Sequence, residues 1–178
     1  RNLNRVIRNV ESCVIKQHFT VTGFIVSRER VALHWHKHVG KWLPPGGHIE
    51  TNEDPVTAVH REILEETGLR IRLLGQPAYQ YEHPLQLPAP KAMAIYDMVN
   101  GDGSLSEVHQ HIDFIYFSTP DPDEDAEPKY EGWIWADEQM IKTGHINAFG
   151  RDEPIASDVS ELSLSAIATY RKLKGINQ

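Results

Sequence analysis

Short runs of apolar and β-branched residues predict most of the sheet. Residues 19–26 (FTVTGFIV) have the composition of a strand, and residues 31–36 (VALHWH) follow after a turn-like segment at 27–30. The two runs therefore predict a β-hairpin. Similar runs predict further strands at residues 69–74, 92–99, 111–118 and 130–135.

Apolar residues at helical spacing and helix-capping residues predict the helices. The clearest helix spans residues 55–66, because Asp54 is a good N-cap, Pro55 suits the first helical position and Gly68 suits the position after a helix. The other predicted helices lie at residues 1–17, 137–142 and 157–174. Proline, glycine and acidic residues predict loops at 44–47, 84–90, 100–104 and 121–127. Helices around a mostly β centre indicate an α/β fold.

Length and charge limit the classes of protein that fit this pattern. A chain of 178 residues suits one domain over residues 1–178, with the terminal helices as extensions of its core. Its 18 basic and 25 acidic residues leave a net charge of −7. Binding to a nucleic-acid polymer is disfavoured, because such proteins neutralise phosphates with basic side chains. The terminal helices offer surfaces on which a homodimer could form.

Three absences predict the cellular location. No apolar run approaches the ~20 residues that a membrane span needs. The first residues lack the apolar core of a secretory signal. A single cysteine, Cys13, excludes an intramolecular disulfide and fits a reducing compartment. We therefore expect a cytoplasmic protein with no membrane partner.

A cluster of carboxylates is predicted on the helix at 55–66. Glu62, Glu65 and Glu66 lie at positions i, i+3 and i+4, and Glu53 lies just before the helix. Each like-charged pair at this spacing costs roughly 0.2–0.5 kcal/mol. Two explanations stay open at this point. The acids form a solvated face of the helix, or they hold a divalent cation such as Mg²⁺ or Mn²⁺, which prefers oxygen ligands.

The stretch around these acids resembles the Nudix box, whose pattern is Gly, five residues, Glu, seven residues, Arg-Glu-apolar-x-Glu-Glu-x-Gly-apolar. Every specified position is filled, at Gly47, Glu53, Arg61, Glu62, Ile63, Glu65, Glu66, Gly68 and Leu69. The resemblance covers about an eighth of the chain, and the predicted elements around it are compatible with that family. It implies a Nudix-type α/β/α sandwich with a central mixed β-sheet.

The same resemblance implies a metal-dependent hydrolase of the nucleotide pyrophosphatase type. Such an enzyme cleaves a phosphoanhydride bond in a nucleoside diphosphate linked to another moiety, with water attacking phosphorus. The implied cofactor is Mg²⁺, with Mn²⁺ as a substitute, and the implied partner is a small nucleotide-type diphosphate. The alternative is a non-catalytic module of the same fold that binds or senses a nucleotide, against which the complete set of acids argues.

Roles for individual residues follow from the resemblance. Glu62, Glu65 and Glu66 are implied as metal ligands, together with the backbone carbonyl of Gly46. Glu53 is implied to bind the metal directly or through water.

The general base is left open among several carboxylates. Glu62 and Glu65 are candidates within the box, and Glu127 and Glu131 are candidates on a later loop. The catalytic set is completed by Arg61, which is expected to pair with a box carboxylate and fix its conformation.

Histidines before the box are predicted to face the substrate. His34, His36 and His38 alternate, so on a strand they share one face, just before the glycine loop. One or two of them are expected to approach the substrate phosphates. A zinc site of three imidazoles and a half-exposed strand edge are the alternatives.

A second polar pair lies on the strand at 111–118. His111 and Asp113 share one face, and Asp113 is costly to bury in an apolar run unless it is paired. It therefore lines the substrate cleft or accepts a hydrogen bond in the core. The predicted substrate-binding set is His36, His38, Gly47, His111 and Asp113.

Overall fold

The predicted hairpin at residues 19–36 forms the middle of the sheet. The computed structural model describes residues 15–101, 108–123 and 125–175. In it, β1 spans Lys16–Ser27 and β2 spans Arg30–His36. Both residues of the turn between them have positive φ, as two-residue hairpin turns require. The helix predicted at 1–17 lies outside the described residues over 1–14, and its last two positions belong to β1.

The remaining elements follow in chain order. The strands are β3 Lys41–Leu43, β4 Gly46–His48, β5 Ile71–Leu73, β6 Ala92–Met98, β7 His109–Pro120, β8 Trp133–Asp137, β9 His145–Ala148 and β10 Arg151–Pro154. The helices are α1 Pro55–Thr67, α2 Glu138–Thr143 and α3 Ser157–Lys174.

One parallel pairing makes the central sheet mixed. β1 and β7 run side by side from Lys16 opposite His109 to Ile25 opposite Ser118. The other pairings are antiparallel, with β1 bonded to β2 and β4, β2 to β3 and β8, and β7 to β5 and β6. The main path of the sheet is β3-β2-β1-β7-β5, and β9 and β10 form a separate hairpin.

The two long helices cover opposite faces of this sheet. Ile25 of β1 belongs to a buried cluster with Ile63 of α1, whereas its neighbour Phe24 belongs to a cluster with Ile167 of α3. Successive side chains of a strand point to opposite faces, so α1 and α3 form the outer layers. Gly23 lets α1 approach, because a Cβ there would lie 2.5 Å from the Ile63 Cδ1 atom.

This layering confirms the predicted α/β/α sandwich with a central mixed sheet, and α3 matches the predicted C-terminal helix. Two local predictions are wrong, and one element was missed. The loop predicted at 44–47 contains the start of β4 at Gly46, β8 starts at Trp133 instead of residue 130, and the β9–β10 hairpin was not predicted. Within the described ranges, no helix has both the length and the apolar character that crossing a bilayer demands.

Candidate active site

The local structure of α1 brings two carboxylates of the box to one place. Asp54 caps the helix by accepting hydrogen bonds from two backbone N–H groups of the first turn (2.9 and 3.0 Å), and Gly68 ends it with a φ of 73°. Glu62 and Glu66 are one helical turn apart and therefore lie on the same side of α1.

The glycines of β4 meet these two carboxylates. The backbone N–H of Gly46 donates a hydrogen bond to the Glu66 Oε2 atom (3.3 Å). A Cβ on Gly47 would lie 2.5 Å from the Glu62 Oε1 atom. A Cβ on Gly46 would collide with the backbone oxygen of Val21 on β1. Glycine at both positions lets β4 lie between β1 and the carboxylates, since a side chain would meet the backbone of β1 at Gly46 and the end of the Glu62 side chain at Gly47.

Arg61 joins the acids of the box in one network. Its Nε and Nη2 atoms donate to both oxygens of Glu53 (2.9 and 2.8 Å), and Nη2 also donates to the backbone carbonyl of His48 (2.9 Å). Its Nη1 atom donates to Glu62 (2.7 Å) and to Glu65 (3.2 Å). The predicted pairing of Arg61 with a box carboxylate is therefore present, and the guanidinium fixes Glu62 from the side.

Burial raises the pKa of the two carboxyl groups beside β4. The pKa of Glu66 rises to about 7, mainly by desolvation, with repulsion from Glu62 and Glu65 in addition. Desolvation also raises the pKa of Glu62, although the hydrogen bond from Arg61 opposes the shift. Oxygen donors that are partly withdrawn from water and repel one another suit a hard divalent cation. The donor set therefore fits Mg²⁺.

A cleft of about 490 Å³ lies beside these carboxylates, between β1, β4, β6, β7 and the start of α3. Its lining includes one lysine, Lys41. The carboxylates that line it, among the described residues, are Glu50, Glu62, Glu66, Asp97, Asp113 and Asp158. Walls with this excess of carboxylates repel an anion that arrives without cations.

The structure places four of the five predicted substrate-binding residues on this cleft: His36, Gly47, His111 and Asp113 line it. Asp113 is buried and accepts a hydrogen bond from the Thr20 hydroxyl (2.8 Å). Burial raises the pKa of Asp113, and the hydroxyl groups of Thr20 and Thr22 oppose that shift. Asp113 thus accepts a hydrogen bond and also lines the cleft, so both of the alternatives predicted for it apply.

His38, the fifth, lies in the exposed turn after β2 and not among the residues that line the cleft. The ring centroids of His34, His36 and His38 follow one another at 5.8 and 6.1 Å, and their nitrogens do not form a group that could hold one ion. The alternative of a zinc site at these three histidines finds no support in the described part of the chain.

The other predicted acids lie outside the cleft. The side chain of Glu65 is 60% exposed, and Glu53 is paired with Arg61 and is not among the residues that line the cleft. Glu127 accepts a hydrogen bond from the Trp135 indole (2.9 Å), and Glu131 is exposed. Of the carboxylates predicted as general bases, only Glu62 lines the cleft.

Sequence reasoning missed several groups in the cleft. The Tyr96 hydroxyl donates a hydrogen bond to Asp158 at the start of α3 (3.1 Å), and burial together with this carboxylate raises the pKa of Tyr96. These two residues come together only through tertiary packing. Thr20 and Thr22 could have been recognised from the sequence as candidates, because they are polar and alternate within an otherwise apolar strand.

His34 lines the cleft and packs against Trp133 of β8. Their rings stack with centroids 4.4 Å apart, and the Trp133 indole N–H donates to the backbone oxygen of Glu66 (3.1 Å). Burial, and then the neighbouring His36, lower the pKa of His34 to about 4. Trp133 packs against the buried cluster of the α1 face, as expected for a core aromatic residue.

The sandwich fold and the carboxylates beside β4 define a class of protein. A family model described as NUDIX domain matches residues 16–150. The chain belongs to this family, and the predicted resemblance and the predicted class of enzyme, a Nudix hydrolase, are confirmed.

Individual relatives match this chain over different fractions of its length. The m7GpppN-mRNA hydrolase NUDT17 of Danio rerio is 32% identical over 108 residues, which are 57% of this chain but only 33% of that protein. An RNA pyrophosphohydrolase of a Marinomonas species is 28% identical over 139 residues, covering 73% of this chain and 81% of that protein. Among solved structures, a NUDIX family hydrolase from Clostridium perfringens superposes with a TM-score of 0.62 at 28% identity, covering 86% of this chain and 97% of that one.

Proposed function

We propose that this protein hydrolyses a phosphoanhydride bond in a small nucleotide-type diphosphate with the help of Mg²⁺, and releases a nucleoside monophosphate. The main observation behind the proposal is that Glu62 and Glu66 contact the Gly46–Gly47 backbone on the wall of the cleft. The further ligands that we propose are Glu65, the Gly46 carbonyl and, through water, Glu53, since both of its oxygens accept from Arg61.

The chain's own residues account for positioning and proton transfer. Arg61 donates to one oxygen of Glu62, and Glu62 lines the cleft. Glu62 is therefore the carboxylate that we propose as general base, accepting the proton of the attacking water. Bound Mg²⁺ supplies neutralisation of the phosphate charge and lowers the pKa of coordinated water. Asp113, Thr20 and Tyr96 offer hydrogen bonds to the rest of the substrate.

Two classes of substrate compete for this cleft. Six carboxylates and one lysine on its walls favour a small substrate that brings its own cations. The names of two relatives, an RNA pyrophosphohydrolase and an mRNA hydrolase, favour the 5′ end of an RNA as the second candidate. A polymer adds many phosphates, and the net charge of −7 does not help to hold them.

A substrate panel tests the proposal. The purified protein with Mg²⁺ would be given a sugar nucleotide, a dinucleoside polyphosphate, a nucleoside triphosphate and a 5′-triphosphorylated RNA, and products would be separated by chromatography. We expect a small substrate to yield a nucleoside monophosphate, with oxygen from labelled water in the product. Faster turnover of the RNA would favour the second candidate. Tight binding of one compound without hydrolysis of any would show a sensor instead.

Replacing Arg61 by Lys is expected to reduce kcat by roughly 10–100-fold, the usual cost of losing an outer-shell partner. Lysine keeps the charge, but it cannot reproduce the planar set of contacts to Glu53, Glu62 and the His48 carbonyl. The matched control is Arg72→Lys, at a side chain that is 54% exposed and is expected to keep the wild-type rate. Steady-state kinetics would show the contrast. Equal rates in both variants would contradict the proposed positioning role.

A cytoplasmic location and a homodimer stay predictions. Size-exclusion chromatography with light scattering would decide the second.

A further inference from the structure

Four histidines from three strands gather on the α3 face of the sheet. Parallel pairing of β1 with β7 sets His18 opposite His111, and antiparallel pairing of β1 with β4 sets His48 opposite Thr20. His109 lies two residues before His111 on β7, so both side chains point to the same face. Strand register therefore brings together imidazoles that are far apart in the sequence.

Three of these imidazoles converge. His48, His109 and His111 each offer one ring nitrogen, and these nitrogens lie within 4.8 Å of one another, the one such group of possible metal ligands among the described residues. The Nε2 atoms of His109 and His111 are 3.0 Å apart. Two N–H groups cannot face each other at that distance, so one nitrogen accepts a hydrogen bond from the other, through the lone pair that a metal ion would use.

His18 extends the group. Its ring centroid lies 5.3 Å from that of His48 and 5.2 Å from that of His109. Its Nε2 atom is buried and has no hydrogen-bond partner in the described part of the chain. A buried polar atom without a partner costs free energy, and this cost is recovered if the nitrogen bonds to an ion or to a water on that ion.

The chemistry of the ligands selects the ion. Imidazole nitrogen suits Zn²⁺ and its neighbours in the first transition row, whereas Mg²⁺ requires oxygen. Three protein ligands and an open fourth position are the arrangement of catalytic zinc sites. His48 and His111 also line the cleft, so the group lies at its wall.

We propose that His48, His109 and His111 form a second metal site, specific for Zn²⁺ or a similar imidazole-binding ion and distinct from the carboxylates of α1. His18 stands beside it as a fourth nitrogen donor or as the hydrogen-bond partner of a bound water. The proposal does not depend on the proposed function, because binding of the ion is measured without substrate.

Metal titration of the full chain, free of any affinity tag and stripped with a chelator, tests the site. Co²⁺ serves as the spectroscopic probe and Zn²⁺ as the competitor. We expect one equivalent of Co²⁺ to give the intense visible absorption of a tetrahedral site, and Zn²⁺ to abolish it. His111→Gln and His48→Gln are each expected to weaken Zn²⁺ binding more than about 100-fold, because a direct ligand matters more than an outer-shell partner.

Two control variants distinguish Zn²⁺ binding at this site from Zn²⁺ binding by other side chains. His145→Gln removes an exposed histidine of the β9–β10 hairpin, and Glu62→Gln alters the carboxylates of α1. Both are expected to keep the wild-type affinity for Zn²⁺. Loss of Zn²⁺ binding in Glu62→Gln with retention in His111→Gln would overturn the proposal.

X-ray absorption of the zinc-loaded wild-type protein supplies a measurement that needs no variant to fold. Three or four imidazole ligands around zinc are expected. Fewer than three, or a binding stoichiometry of zero, would overturn the proposal.

Discussion

Replacing Glu66 by Gln is expected to reduce kcat for Mg²⁺-dependent hydrolysis by more than the roughly 10–100-fold that loss of an outer-shell partner costs. Gln keeps the size of the side chain and an oxygen that accepts from the Gly46 N–H, so β4 stays in place. The substitution removes the negative charge that a divalent cation needs. Steady-state kinetics over a range of Mg²⁺ concentrations would measure the loss and show a higher Mg²⁺ requirement.

Thermal unfolding of the same variant provides an independent readout. Without metal, the free energy of unfolding is expected to stay equal or to rise, because a partly buried charge that is repelled by Glu62 and Glu65 is gone. Mg²⁺ is expected to raise the Tm of the wild-type protein, since a ligand that binds the folded state stabilises it. It is expected to raise the Tm of the variant less.

The matched control is Glu161→Gln, at an exposed position of α3. It is expected to keep both the wild-type kcat and the wild-type response of Tm to Mg²⁺. If Glu66→Gln behaved like this control in both measurements, Glu66 would not be a metal ligand.

Elements that depend on local interactions were predictable from the sequence. The hairpin of β1 and β2 follows from two apolar runs and a short turn, and α1 follows from Asp54, Pro55 and Gly68 at its ends. The short strands were not predictable in this way. Gly46 and Gly47 have the composition of a loop, yet they pair with β1 in β4, where a side chain would meet the backbone of β1 at Gly46 and Glu62 of α1 at Gly47. This requirement comes from packing between segments that are distant in the sequence.

The same distinction between local and tertiary interactions applies to the site. Glu62 and Glu66 belong to one helix, so periodicity alone places them together, and the resemblance to the Nudix box assigns their chemistry. The other walls of the cleft come from the pairing of β1 with β7, whose residues are 93 positions apart, as in the contact of Thr20 with Asp113. Periodicity within one segment carries no information about such pairings. For this reason the sequence indicated His34, His36 and His38 as neighbours and missed the group at His48, His109 and His111.

Negative charge is present on both the α1 side and the α3 side of the cleft. Asp113 and Asp158 lie on its α3 side, and Glu62 and Glu66 on its α1 side. A diphosphate between them meets negative charge in both directions. Under the proposed function, the binding of substrate and the binding of cations are expected to be coupled, so that the apparent affinity for substrate rises with Mg²⁺ concentration.

Replacing Gly47 by Ala is expected to lower kcat by about 100-fold, because misplacement of a reacting group by about 1 Å has an effect of that size. The new Cβ would lie 2.5 Å from the Cδ and Oε1 atoms of Glu62, so the carboxylate must move away. The backbone at Gly47 does not have the positive φ that disfavours alanine, and the atoms in the way belong to the end of a flexible side chain. The fold is therefore expected to persist while the geometry of the site changes.

Gly75→Ala is the matched control for Gly47→Ala. The nearest atom to a Cβ there is the Lys91 Nζ at 3.7 Å, an ordinary contact, so the wild-type kcat is expected. Circular dichroism and Tm would check that both variants fold, and kinetics with saturating substrate would separate kcat from KM. A folded Gly47→Ala protein with the wild-type kcat would mean that the position of Glu62 beside β4 does not matter for the reaction. A loss of kcat without loss of the fold would locate the effect at this carboxylate, because the three atoms nearest to the new Cβ all belong to Glu62.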